Sequence, residues 1–119
     1  MGRRVGKTTI ARLRTDIWVS AHIRRCELDG LFVYVAHKGD AERGAVLLKI
    51  AHLDGTATVL DRSYDLDGNL VWNRRTGATP VPEREADDLI ARQRKYDTDL
   101  WVLEIEDRDG RHKLDEPVA

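Results

Sequence analysis

The chain predicts an α+β domain, a small antiparallel sheet of about five strands with one or two packed helices. Three observations carry this reading. Asp-Gly pairs at 29–30, 54–55, 67–68 and 109–110 lie beside β-forming segments and suit tight hairpin turns. Residues 83–96 space apolar side chains helically, with acids first and bases last. Residues 99–106 alternate, putting Trp101, Leu103 and Ile105 on one face and Val102, Glu104 and Glu106 on the other.

Taken in order, residues 16–28 read two ways. Ile17, Val19, Ala21 and Ile23 alternate like a strand that would turn at Asp29-Gly30, whereas Arg24 to Leu28 suit a helix. The helix is preferred, with Thr15 or Asp16 as its cap and Gly30 as its stop. Leu31 to Ala36 is rich in β-formers and ends at a loop cluster running to Gly44. Residues 45–62 read as a hairpin around Leu53-Asp54-Gly55-Thr56, and Val71-Trp72 as a short edge strand. Residues 73–82 contain two of the three prolines and read as an exposed connection. Pro82 then stands where a first-turn proline would, with Ala86, Leu89, Ile90 and Tyr96 on the buried face of the helix that follows. The domain is expected over 13–116, after a basic, flexible leader at 1–12 and before a tail at 117–119.

Composition restricts the function classes. A chain of 119 residues with 41% hydrophobic and 34% charged residues fits one soluble domain and no membrane protein. Cys26 is the only cysteine, which rules out an intramolecular disulfide and points to a reducing, cytoplasmic setting. Arg3-Arg4 is followed by no apolar stretch that could serve as a signal-peptide core. The net charge of −1 hides an asymmetry: residues 1–25 hold seven Lys/Arg against one acid, and residues 97–119 hold eight acids against three bases. Opposite ends of the chain could therefore pair.

Three strings stand out together: Trp18-Val19-Ser20-Ala21-His22-Ile23-Arg24-Arg25-Cys26, Gly44-Ala45-Val46-Leu47-Leu48-Lys49, and Asp97 to Asp107. In that order, over roughly residues 12 to 116, the chain resembles a family of small bacterial proteins, mostly alphaproteobacterial, named domain of unknown function 1491 (DUF1491). Its members tend to have proline where Thr98 stands, and a Gly-Pro-Ala-Pro-like loop where this chain has Ser63 to Gly68. The resemblance implies a lineage and a cytoplasmic location, and brings no catalytic residues with it.

Site motifs fare poorly. Gly6-Lys7-Thr8-Thr9 looks like the end of a P-loop but lacks the preceding buried strand and glycine. Ser63 to Gly68 looks like half a calcium loop, but its twelfth position is Arg74 instead of glutamate. His22, His37, His52 and His112 lack ligand spacing, although His37 and His52 would face one another if their strands paired. No metal or cofactor is expected. Glu104, Glu106, Asp107 and His112 form the best acid/base candidate for a small metal-dependent hydrolase; the plainer reading is a solvated face of an edge strand. Arg24 and Arg25 are candidates for binding an anion or for pairing with the carboxylates at 104–109. Trp18, Trp72 and Trp101 serve as core or interface anchors.

The favoured function is a non-enzymatic, cytoplasmic protein-interaction or accessory domain, with a second copy of the chain among its candidate partners. It would act through an apolar sheet edge or through tryptophans, with Trp18, Trp101, Arg24 and Arg25 as binding residues. The alternative is a nucleic-acid-binding accessory protein using the basic leader with Arg24, Arg25, Arg74 and Arg75.

Overall fold

The computed structural model describes residues 13–119, so the leader expected over 1–12, with its P-loop-like string, lies outside the described residues. The first element is a helix, α1 (Thr15–Leu28), which settles the ambiguity at 16–28. Thr15, Val19, His22 and Cys26 recur every three or four residues and form its buried face. No side chain caps its start. Instead, the amides of Thr15 and Asp16 donate to the carbonyls of Glu42 and Ala41, and the Thr15 hydroxyl donates to the Gly44 carbonyl at 2.8 Å. The far end closes as a Schellman turn, with Gly30 at φ 76° donating to Glu27 and Leu31 donating to Cys26.

Six strands and a second helix follow: β1 (Phe32–His37), β2 (Val46–Ala51), β3 (Thr56–Tyr64), β4 (Leu70–Arg74), β5 (Val81–Pro82), α2 (Glu83–Tyr96) and β6 (Trp101–Glu106). The architecture is α+β. The hairpin at 45–62 forms as expected, with Leu47 to Ala51 paired against Ala57 to Asp61. All other pairs are antiparallel too, with one exception that reorders the sheet. The order is β1-β6-β2-β3-β4, with β5 beside the start of β3, and β6 runs parallel to β2.

The insertion of β6 overturns two expectations. β1 and β2 do not pair, so His37 and His52 do not face each other: the ring of His37 bonds to the Leu100 carbonyl and that of His52 to the Thr58 hydroxyl. β6 is also no edge strand with solvated carboxylates. It is central because both of its faces carry burial. Trp101, Leu103 and Ile105 join Val19, Cys26, Val33, Leu48, Leu60 and Trp72 in a core beneath α1. Val102, with the preceding Leu100, joins Leu47, Val59, Ala86 and Ile90 in a second core beneath α2. The sheet is thus packed on both faces. On α2, Ala86 and Ile90 are buried as expected, whereas Tyr96 is exposed because it sits on the last turn, beyond the core.

Two close approaches seat the start of β6. A Cβ on Gly39 or Gly44 would fall 2.1 or 2.5 Å from the Asp99 carbonyl oxygen, so only glycine lets the 38–44 loop lie there. The Trp101 indole donates to the Asp40 carbonyl at 2.7 Å. After β6 the chain turns at Gly110, as the Asp109-Gly110 pair suggests, and crosses to β4. There Trp72 donates to the Pro117 carbonyl and accepts from the Ala119 amide, so residues 117–119 extend the sheet.

His22 is the one described side chain whose buried polar atoms all lack a hydrogen-bond partner. It is 1% exposed and stacks on Trp18 at 4.9 Å. Burial first, and the Arg25 charge second, push its pKa down from 6.5 to about 4. The unfolded chain therefore takes up a proton that the folded ring refuses. This histidine makes stability fall as pH drops from about 6.5 to about 4, by about 3 kcal/mol in total. Urea unfolding at pH 7 and pH 4.5 should show His22→Phe losing less stability on acidification than the wild type. Equal acid losses in the two proteins would refute this account of His22.

Candidate interaction edge

β1 forms one border of the sheet, hydrogen-bonded to β6 on its inner side only. Among the described residues, nothing accepts or donates along its outer side. Val33 turns into the core beneath α1, while Phe32 and Tyr34 point to the opposite face. That face is covered by α2 over β2 and β3, leaving the β1 border open. Phe32 is consequently 62% exposed and Tyr34 39%, while Val35, on the α1 face with Val33, is 39% exposed. The two aromatic rings touch, with centroids 5.8 Å apart. Edge strands are commonly guarded by lysine, proline or short length. β1 has six residues, no proline and no lysine; its one irregularity is a register shift between Val35 and His37.

Behind this border stands a charge cluster built on two buried groups, Lys49 and Glu104, and two exposed acids of α2. Lys49 on β2 is opposite Glu104 on β6, and its ammonium lies 2.8 Å from both Glu83 and Asp87 of α2 and 3.5 Å from Glu104. Burial by itself would lower the Lys49 pKa; the hydrogen bonds to Asp87 and Glu83 and the charge of Glu104 more than reverse this and raise it. Glu83 and Asp87 sit one helical turn apart on α2, so the lysine fastens the start of that helix to the sheet. Neither Lys49 nor the exposed aromatics of β1 were singled out from the sequence. The available signal was the Glu83, Asp87 spacing on a helix expected to cover a sheet containing a lone lysine in an apolar run.

The candidate acids do not converge. Glu104 is held by Lys49 on the α2 side, and Glu106 stands next to it on the same face, opposite Phe32 of β1. Asp107 accepts from the amide and guanidinium of Arg111, and this pairing lowers its pKa. His112 lies on the other side of the sheet, lining a cavity with Ile50, Leu60 and Arg74, its Nδ1 accepting from the Leu114 amide. Among the described residues no group of three or more His, Cys, Asp or Glu side chains could hold a metal ion.

The basic candidates scatter as well. Arg25 pairs with Asp115 at 3.2 Å and donates to the Lys113 carbonyl, so its acid partner comes from the C-terminal segment and not from 104–109. Lys113 in turn meets Asp29. The charge asymmetry between the two ends of the chain is thus partly spent within the fold. Arg24 is exposed, and Arg75 is taken by Asp61. Trp72 and Trp101 belong to the interior, Trp72 fully buried and donating to Glu116 and Trp101 4% exposed, whereas Trp18, on α1, is half-buried beneath the Arg62 guanidinium.

Fold and border together define a small α+β domain with one uncovered sheet edge and no assembled catalytic group among the described residues. The chain belongs to the family described as Protein of unknown function (DUF1491), whose model matches residues 13–115. It is similar to a DUF1491 protein from Caulobacter crescentus solved by crystallography, with 47% identity and a TM-score of 0.82 over 90% of this chain and 99% of that one. An NMR structure of a DUF1491 protein from the same organism gives 47% identity and a TM-score of 0.78, over 91% and 97% of the two chains. A protein from A. tumefaciens solved in solution gives 30% identity and a TM-score of 0.68, covering 80% and 86%. Comparison with curated proteins finds no match.

Lys49→Met should cost about 3 kcal/mol in chemical denaturation, because it leaves Glu104 buried without its cation. Adding Glu104→Gln should recover part of that loss. Because the Lys49 pKa is raised, its contribution is fully present below about pH 10.5, the ordinary lysine value, and disappears only as pH rises further. A Lys49→Met protein within about 0.5 kcal/mol of wild type would show the cluster to be dispensable.

Proposed function

We propose that the protein is a non-enzymatic, cytoplasmic interaction module that engages its partner by adding a strand to β1, and that its partner is a second copy of the chain. The observation that carries this reading is the unpaired outer side of β1 with Phe32, Tyr34 and Val35 exposed along it. Main-chain bonds would supply register and the exposed aromatics would supply apolar burial. Self-pairing suits the strand's composition: an antiparallel copy is self-complementary, so the exposed Phe32 and Tyr34 of each chain would meet the same apolar surface on the other. The pairing would join two six-stranded sheets and remove both free edges. A cytoplasmic setting is supported by the single, buried Cys26 and the absence of another cysteine to bridge it. No helix among the described residues is long and apolar enough to cross a membrane.

Light scattering across micromolar concentrations should give a mass twice the 13.6 kDa of the chain. Phe32→Lys combined with Val35→Lys should return it to one chain that still unfolds cooperatively, since both side chains are exposed, with a thermal midpoint that no longer rises with protein concentration. A wild-type protein that stays monomeric throughout, or a dimer that survives both lysines, would defeat the proposal.

A further inference from the structure

A concave cleft of about 600 Å³ opens away from the β1 edge, between the start of α1, the 42–45 loop and the β3–β4 hairpin. This volume lies within the range of small-molecule sites. Leu13, Arg14, Arg43, Arg62, Tyr64 and Leu70 line it. Arg62 sits on β3 with its guanidinium carbon 5.1 Å from the Trp18 ring centroid. Burial lowers its pKa, against the opposing charges of Tyr64 and Glu116. Glu116 makes no ion pair with Arg62 and accepts the Trp72 indole hydrogen instead. Among the described residues neither Arg62 nor Arg43 has a carboxylate within ion-pair distance. Arg14, by contrast, is held by both carboxylate oxygens of Asp16.

We infer that this cleft binds a small carboxylate with an apolar body, its carboxylate taken by the Arg62 guanidinium with Arg43 beside it, and its body resting on Leu13, Tyr64 and Leu70. A half-buried cation without a partner acid, in a cavity with apolar walls, is a site prepared for an anion. The flat guanidinium fork matches a carboxylate with two parallel hydrogen bonds. The surroundings select for low charge. Glu42 lines the cleft, so a dianion or an extended polyanion meets repulsion that a single carboxylate largely escapes. This also separates the cleft from a nucleic-acid surface, which would need a run of uncontested cations. The inference is independent of β1, since no cleft residue belongs to that strand.

The test is an NMR titration of the full chain with benzoate, phenyl phosphate, inorganic phosphate and a short single-stranded oligonucleotide, following the Arg62 side-chain and Trp18 indole N–H signals. Benzoate should shift both signals saturably, and more tightly than either phosphate probe or the oligonucleotide. Arg62→Lys keeps the charge but removes the fork, and should weaken benzoate about tenfold. Arg43→Gln, at an exposed position that cannot upset the core, should weaken it severalfold. No saturable shift with benzoate at millimolar concentration, or equal affinity in both variants and the wild type, would overturn the site. Tighter binding of phenyl phosphate or of the oligonucleotide would overturn the choice of ligand.

Discussion

Lys49 and Glu104 stand at the same register on the two parallel strands in the middle of the sheet, and both are buried. A carboxylate on the α2 face of a central strand would be costly alone, and so would the lysine. Together, with Glu83 and Asp87 bound to the same ammonium, they let β6 lie between β1 and β2 and tell α2 where to begin. Replacing such a cluster with apolar residues often costs little, so what the charges contribute is position more than net stability. They orient α2 over β2 and β3, where Ala86 and Ile90 complete the second core.

The surface follows from that arrangement. One helix cannot cover a sheet five strands wide, and α2 is tied to the β2–β3 side, so the face of β1 is left open with Phe32 and Tyr34 on it. At the opposite border, β4 is treated differently. Residues 117–119 return to pair with Trp72 and Arg74, and Leu114 and Val118 pack partly against the core beneath α1. One edge is closed by the chain itself while the other, carrying more exposed apolar surface, is not. That contrast is the physical basis for reading β1 as the side that meets a partner.

The elements were more legible than their arrangement. The α1 stop at Gly30, the hairpin around Asp54-Gly55 and the alternation of Trp101, Leu103 and Ile105 all express local rules of capping, turn geometry and side-chain period. The place of β6 between β1 and β2 is decided by which strands can be buried on both faces, and the alternation at 101–106 suggested only one buried face because Glu104 and Glu106 looked solvent-bound. The fate of Glu104 depended on Lys49, more than fifty residues away in the chain. The same limit hid the partner of Arg25, which is Asp115 and not an acid of 104–109, and the cleft around Arg62, whose ring partner Trp18 lies on a different element. Family membership was legible from three separated strings, and the match over 13–115 bears it out.

The claim on which the functional reading rests is that β1 is held back for another strand. Hydrogen exchange of the backbone amides, followed residue by residue at low and high protein concentration, addresses it directly. Outward-facing amides of Phe32 to His37 should exchange rapidly when the protein is dilute and become protected as concentration rises, while those of β4 remain unchanged. Protection along β1 that is the same at every concentration, or that appears on β4 instead, would contradict the account.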